Sequence, residues 1–161
     1  MKQTLTLALF TLLGATTCWA PISNAEGLPV VHDFTIEAKK SLSKKTPILV
    51  LFMSNSCTYC EQVLQDFLLP MQRDPEYNNK VILRQIETSS RDKLIDFDGK
   101  ITTHSAFASK HKAWAVPTVM LFDSRGQVLT SIVGLLTVDY YLAYLDDAIN
   151  ESQAKIKAAA N

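Results

Sequence analysis

The sequence predicts an α/β domain, a central β-sheet flanked by helices, and three stretches carry that expectation. Ile48-Leu49-Val50-Leu51-Phe52-Met53 is an unbroken apolar run bounded by turn residues, the pattern of a strand buried on both faces. Val63, Leu64, Phe67, Leu68 and Met71 recur at three- and four-residue spacing, which places them on one face of a helix. Residues 118–122 and 128–133 flank the turn Asp123-Ser124-Arg125-Gly126 and read as an antiparallel pair of strands.

The elements follow in order. Gly27 and Pro29 make residues 26–33 a loose lead-in. From Phe34 to Lys45 the apolar positions Phe34, Ile36, Ala38 and Leu42 alternate with Lys and Ser, which suits a short surface helix that Pro47 stops. After the apolar strand, Ser54-Asn55-Ser56 forms an exit loop, and a helix starts at about Cys57. Pro70 should kink or end that helix. Residues 81–86, Val-Ile-Leu-Arg-Gln-Ile, form the second strand. Residues 88–103 are a polar insert in which Asp98-Gly99 closes a small hairpin around Leu94-Ile95 and Ile101; beside a reactive site, such an insert has the means to select a partner. Ser105 to Trp114 reads as a helix leading into Val116-Pro117. Thr137 caps a last helix whose Val138, Tyr141, Leu142, Leu145, Ala148 and Ile149 make one apolar, core-facing stripe.

At 161 residues the chain has room for one domain, and its 47% apolar and 20% charged content is that of a globular protein. Sixteen basic residues face sixteen acidic ones, and no block of like charge exceeds two residues. That balance argues against a nucleic-acid partner, which needs a basic surface.

Residues 1–25 read as a signal peptide and residues 26–161 as the domain itself. Lys2 supplies a positive start, residues 5–13 an apolar run, and Ser23-Asn24-Ala25 small residues suited to a cleavage site. The run is shorter than the roughly 20 apolar residues of a spanning helix, which disfavours an uncleaved anchor and leaves no stable membrane insertion after cleavage. Cys18 follows Thr16-Thr17, a poor match to a lipid-attachment motif. Export implies an oxidising compartment, where cysteines serve mainly in disulfides.

With the first 25 residues removed, Cys57 and Cys60 are the only thiols left. A structural disulfide gains most by closing a long loop, and this pair closes almost none. It is better suited to being made and broken. The attacking species in thiol–disulfide exchange is a thiolate, whereas a free cysteine at about pKa 8.5 is mostly protonated at neutral pH. Cys57 stands where strand hands over to helix, so unpaired N–H groups and the positive end of the helix dipole favour its thiolate. Cys60, nearly one turn further on, is placed as the buried thiol that resolves a mixed disulfide.

Other readings fare worse. A zinc site needs four ligands, and His32, His104 and His111 are single and scattered. Covalent haem attachment needs His after the second cysteine, where Glu61 stands. Neither metal nor other cofactor is expected. Val116-Pro117 admits two readings, ordinary punctuation at a strand edge or a cis-proline loop packed against the cysteine pair.

The strand–CxxC–helix unit, the later Val116-Pro117-Thr118 strand and the Gly126-bounded hairpin together resemble the thioredoxin superfamily over about residues 34–150. Residues 52–61, 96–99 and 116–123 are similar to exported thioredoxin-related proteins of the SoxW type. The resemblance implies a thioredoxin fold, a central mixed β-sheet flanked by helices with a short insert before the helix that leads to the cis-proline. It implies Cys57 as nucleophile and Cys60 as resolving thiol, joined as a redox-active disulfide. It also implies Pro117 as the cis-proline beside them, and Val116 offering main-chain hydrogen bonds to substrate. Where thioredoxins carry a buried carboxylate, six residues before the first cysteine, this chain has Leu51; Glu61, His104 or water are the substitutes to weigh as proton acceptor. The chain lacks the large helical insert of exported oxidases and the dimerisation domain of exported isomerases. The expectation is therefore a periplasmic reductase, with a disulfide-containing protein or thiol carrier as substrate and a membrane thiol donor of electrons. An oxidase running in reverse, and a redox-independent client-binding module, are the alternatives.

Overall fold

The computed structural model describes residues 27–159. The signal segment expected over residues 1–25 lies outside them. The elements are α1 (Phe34–Lys44), β1 (Ile48–Met53), α2 (Thr58–Val63), a π turn (Leu64–Leu68), α3 (Leu69–Arg73), β2 (Ile82–Glu87), β3 (Lys93–Ile95), β4 (Ile101–Thr103), α4 (His104–Lys110), β5 (Thr118–Phe122), β6 (Val128–Val133) and α5 (Val138–Ala159). The main sheet has the strand order β2-β1-β5-β6, and β3 and β4 form a separate two-stranded ribbon. β1 pairs in parallel with β2 and antiparallel with β5, which makes the sheet mixed. No described helix is long and apolar enough to cross a membrane.

Every residue of β1 is buried because the strand is central and both faces are covered. Alternation divides its side chains between two cores. Leu49, Leu51 and Met53 join the cluster that holds α2, α3 and α5, including Cys60, Phe67, Leu68, Tyr141 and Leu145. Ile48, Val50 and Phe52 join the opposite cluster with Phe34, Ile86, Phe107 and Phe122.

α1 is the short surface helix expected, but its apolar positions do not set its inward face. Ile36 and Leu42 are 50% and 70% exposed, and the face turned inward is Phe34, Glu37 and Ser41. The reason is pairing: Glu37 Oε2 accepts from Arg84 of β2 at 2.6 Å, and the Ser41 hydroxyl donates to the Thr46 carbonyl. Phe34 then stacks on Phe97 and Phe107. The helix ends in a left-handed residue, Lys45, two positions before Pro47.

Pro70 does not end the second helical stretch. The chain widens into the π turn, in which the Leu69 amide donates to the Leu64 carbonyl five residues back, and Pro70 starts α3 as an early position. One extra residue in a turn is a recognised way to absorb such an irregularity. α4 is shorter than expected, stopping at Lys110; Lys112 is left-handed and the Ala113 amide closes on the Ala108 carbonyl, a Schellman-type ending. In α5, Tyr141, Leu145, Ala148 and Ile149 are buried as expected, while Val138 and Leu142 remain 46% and 45% exposed.

The insert forms the expected hairpin, with Leu94 opposite Thr102 and Ile95 opposite Ile101. Its tip does not lie at the cysteines. Phe97 stacks at 4.4 Å on Phe34 and 5.6 Å from Phe122, at the end of β5 remote from Pro117. The Asp96 carboxylate accepts from Lys110 at 2.6 Å and ties the hairpin to α4. The insert closes the second core there, as a lid of apolar surface removed from water.

Candidate active site

Cys57 is the N-cap residue of α2, with extended backbone at φ −101° and ψ 102°. A chain leaving a buried strand must turn before it can wind into a helix, and residues 54–56 make that turn, closed by the Cys57 amide donating to the Ser54 carbonyl. Cys57 Sγ accepts from the Cys60 amide at 3.1 Å. This is the usual capping arrangement with sulfur as the acceptor, and it favours negative charge there. Cys57 and Cys60 are joined as a disulfide with Cα atoms 5.2 Å apart. Cys57 is half-buried, whereas Cys60 has no exposed surface. The outer sulfur is open to a partner, and the inner one is reached only through it.

The Val116–Pro117 peptide bond is cis, which decides between the two sequence readings of this proline. Pro117 is buried, and Val116 packs on the same apolar cluster as Cys57. Two hydrogen bonds hold the segment. The Thr118 hydroxyl donates to the Ala115 carbonyl at 2.7 Å, and the Gly134 amide donates to the Pro117 carbonyl at 2.7 Å. Thus β5 and the end of β6 carry Val116 and Pro117 to the cluster in which the cysteines sit.

Three exposed apolar side chains stand on these same segments: Tyr59 at 64%, Trp114 at 78% and Leu136 at 74%. Tyr59 lies between the cysteines and Trp114 three residues before Pro117.

The position six residues before Cys57 is apolar in its surroundings as well as its identity, since Leu51 is fully buried in the Cys60 cluster. Neither side chain weighed as a replacement is brought to Cys60. Glu61 is exposed and its carboxylate accepts from Gln65 at 2.9 Å. His104 is buried, with Nε2 against the Val31 carbonyl at 3.0 Å, and Val31 belongs to the core on the other face of the sheet. Burial pushes the His104 imidazole below its ordinary value. Among the described residues no three His, Cys, Asp or Glu side chains gather as a metal site.

Comparison with known proteins agrees with the geometry. Residues 34–149 match the family described as the thioredoxin-like domain. A thioredoxin-fold protein from Helicobacter pylori is 18% identical, with a TM-score of 0.50 over 78% of this chain and 98% of its own. The thioredoxin of Fasciola hepatica is 15% identical, with a TM-score of 0.52 over 78% of this chain and 99% of its own. At those identities the likeness is one of fold. No curated protein sequence matches the chain. A domain of this kind with a CxxC pair at disulfide distance fits thiol–disulfide oxidoreductase chemistry. Over more than two thirds of its length, from α1 through most of α5, the chain belongs to the thioredoxin-like domain family.

Proposed function

We propose that this protein is an exported thiol–disulfide oxidoreductase that reduces disulfides in exported proteins or thiol carriers. The observation that carries the reading is the sulfur of Cys57 at the head of α2, accepting the Cys60 amide, with Val116 packed on the same apolar cluster. In the reduced protein the Cys57 thiolate attacks a substrate disulfide, forming a mixed disulfide and releasing one substrate thiolate. Cys60 then attacks Cys57 Sγ, the second substrate sulfur leaves with its electron pair, and the pair is oxidised. A dithiol donor of electrons, drawn from the membrane, restores it. Main-chain groups of Val116 align the substrate strand, and Tyr59, Trp114 and Leu136 cover its apolar flanks.

Export is supported by the segment of residues 1–25, and kinship with SoxW-type proteins by residues 52–61, 96–99 and 116–123. The reducing direction is supported by the size of the insert, whose residues 88–103 form only the short β3–β4 hairpin. Insulin reduction with a dithiol donor tests the reading. Wild type should turn over, and Cys57→Ser should lose turnover while remaining folded; a Cys57→Ser protein as active as wild type refutes it. The reduction potential of the pair tests direction, with a value near about −270 mV supporting a reductant and one near about −120 mV an oxidant.

A further inference from the structure

Resolution of the mixed disulfide requires the Cys60 thiol to lose a proton, and Cys60 has no exposed surface through which bulk water can take it. Leu51 cannot accept one, Glu61 faces solvent, and His104 belongs to the other core. His111 is also on that far side, packed against Phe107 and Phe122. Tyr141 shares the Cys60 cluster, but burial pushes its phenol up to about 12, so it stays protonated.

Glu87 ends β2 directly opposite Met53, the last residue of β1 before the loop to Cys57. Residues paired across adjacent strands turn their side chains to the same face. Met53 and Leu51 pack in the Cys60 cluster, as does Leu83 on β2, four positions before Glu87. Period-two alternation therefore sends Glu87 to the Cys60 face, at the end of the sheet from which the active-site loop departs. The Thr88 amide and hydroxyl both donate to the Met53 carbonyl, at 2.8 and 3.1 Å, and pin the two strand ends together.

The carboxylate is half engaged. Glu87 Oε1 accepts from the Ser89 hydroxyl at 2.7 Å and the Ser89 amide at 3.2 Å. Oε2 is shielded from solvent and meets no donor among the described residues. A buried acceptor without a donor is costly, more so when charged, and such a group calls for an explanation.

We propose that Glu87 accepts the proton of Cys60 when Cys60 resolves the mixed disulfide, an inference that rests on the dithiol reading above. The Cys60 S–H bond breaks and its proton ends on Glu87 Oε2. The sulfur electron pair forms the bond to Cys57 Sγ, the bond from Cys57 to the substrate sulfur breaks, and the substrate leaves as a thiolate. The substrate is reduced by the two electrons that the dithiol gives up, and Glu87 returns its proton to water.

The test is stopped-flow reaction of the reduced protein with an aromatic disulfide whose thiolate is coloured, Ellman's reagent. The first thiolate is released by Cys57 in a bimolecular phase, the second by Cys60 in a unimolecular phase. Glu87→Gln keeps the Oε1 acceptor for Ser89 and removes only the proton-accepting oxygen. It should leave the first phase unchanged and slow the second by about tenfold or more at pH 7, below the full range of general-base effects. The deficit should shrink as pH rises toward the ionisation of Cys60 itself, and Glu87→Asp should recover part of the rate. A second phase equal to wild type, a deficit constant across pH, or a first phase slowed by the same factor overturns the assignment. Absence of a first phase in wild type would instead overturn the dithiol reading, so the two failures are distinct.

Discussion

Gly126→Ala is expected to be among the most destabilising single-methyl additions in this protein. Gly126 closes the β5–β6 turn at φ +78°, and a Cβ there would lie 2.6 Å from two ring atoms of Phe97 and 2.9 Å from its Cβ. The left-handed backbone alone costs an L-residue about 1–2 kcal/mol. The contact adds to this because Phe97 has little room to move: its ring stacks 4.4 Å from Phe34 and lies 5.6 Å from Phe122. Overpacking of a filled site costs about 1–3 kcal/mol, so the total is about 2–5 kcal/mol. Gly99 is the internal control, at φ +81° with open space around it, and Gly99→Ala should cost only the backbone part. Urea unfolding of the two variants measures the difference, and Phe97→Ala should reduce the penalty of Gly126→Ala to that of Gly99→Ala. Gly126→Ala no worse than Gly99→Ala, or undiminished by Phe97→Ala, refutes the clash. The turn stands at the end of β5 remote from Pro117, so thiol reactivity of the folded variant should be unchanged.

Two further predictions concern buried polar groups. Burial holds the imidazoles of His104 and His111 below their ordinary value of 6.5, so the unfolded chain binds more protons than the folded one. Their stability contribution is full above about pH 6.5 and falls below it, by up to about 1.4 kcal/mol per pH unit for each histidine. Denaturant midpoints at pH 7 and pH 5 should show this slope, and His111→Phe, which keeps the stack on Phe107, should flatten it; a slope indifferent to both histidines contradicts the account. Tyr141 carries a buried hydroxyl with no protein partner among the described residues, so Tyr141→Phe should leave stability unchanged or raise it by up to about 1 kcal/mol. A loss above that in thermal unfolding would mean the hydroxyl is bonded.

Much of this fold was legible because its signals are local. The six-residue run of β1 announced burial on both faces, and the spacing of Val63, Leu64, Phe67, Leu68 and Met71 announced a helix that packs one side. The Asp98-Gly99 turn and the Asp123–Gly126 turn marked both hairpins. The helix of α1 was legible, but its inward face was not, for a physical reason. A carboxylate and a hydroxyl count as surface groups by composition, and their inward placement depends on partners the pattern does not show: Arg84, 47 positions from Glu37, and the Thr46 carbonyl. Pro70 misled in the same way, because a π turn is a property of backbone hydrogen bonding that no residue pattern announces.

Cys57 and Cys60 are the part that the sequence determined alone: three residues apart at a strand-to-helix junction, their pairing and their order of exposure follow from the pitch of one helical turn. Pro117 was half-determined, as a proline beginning a strand, whereas the cis form of its peptide bond and the pairing of its carbonyl with the Gly134 amide belong to the tertiary structure. Glu87 was invisible in the chain, 27 positions from Cys60 in a stretch that reads as polar. Parallel pairing of β1 with β2 brings it opposite Met53. Contacts between distant strands depend on register, and register is decided by the burial of whole faces rather than by any residue taken singly.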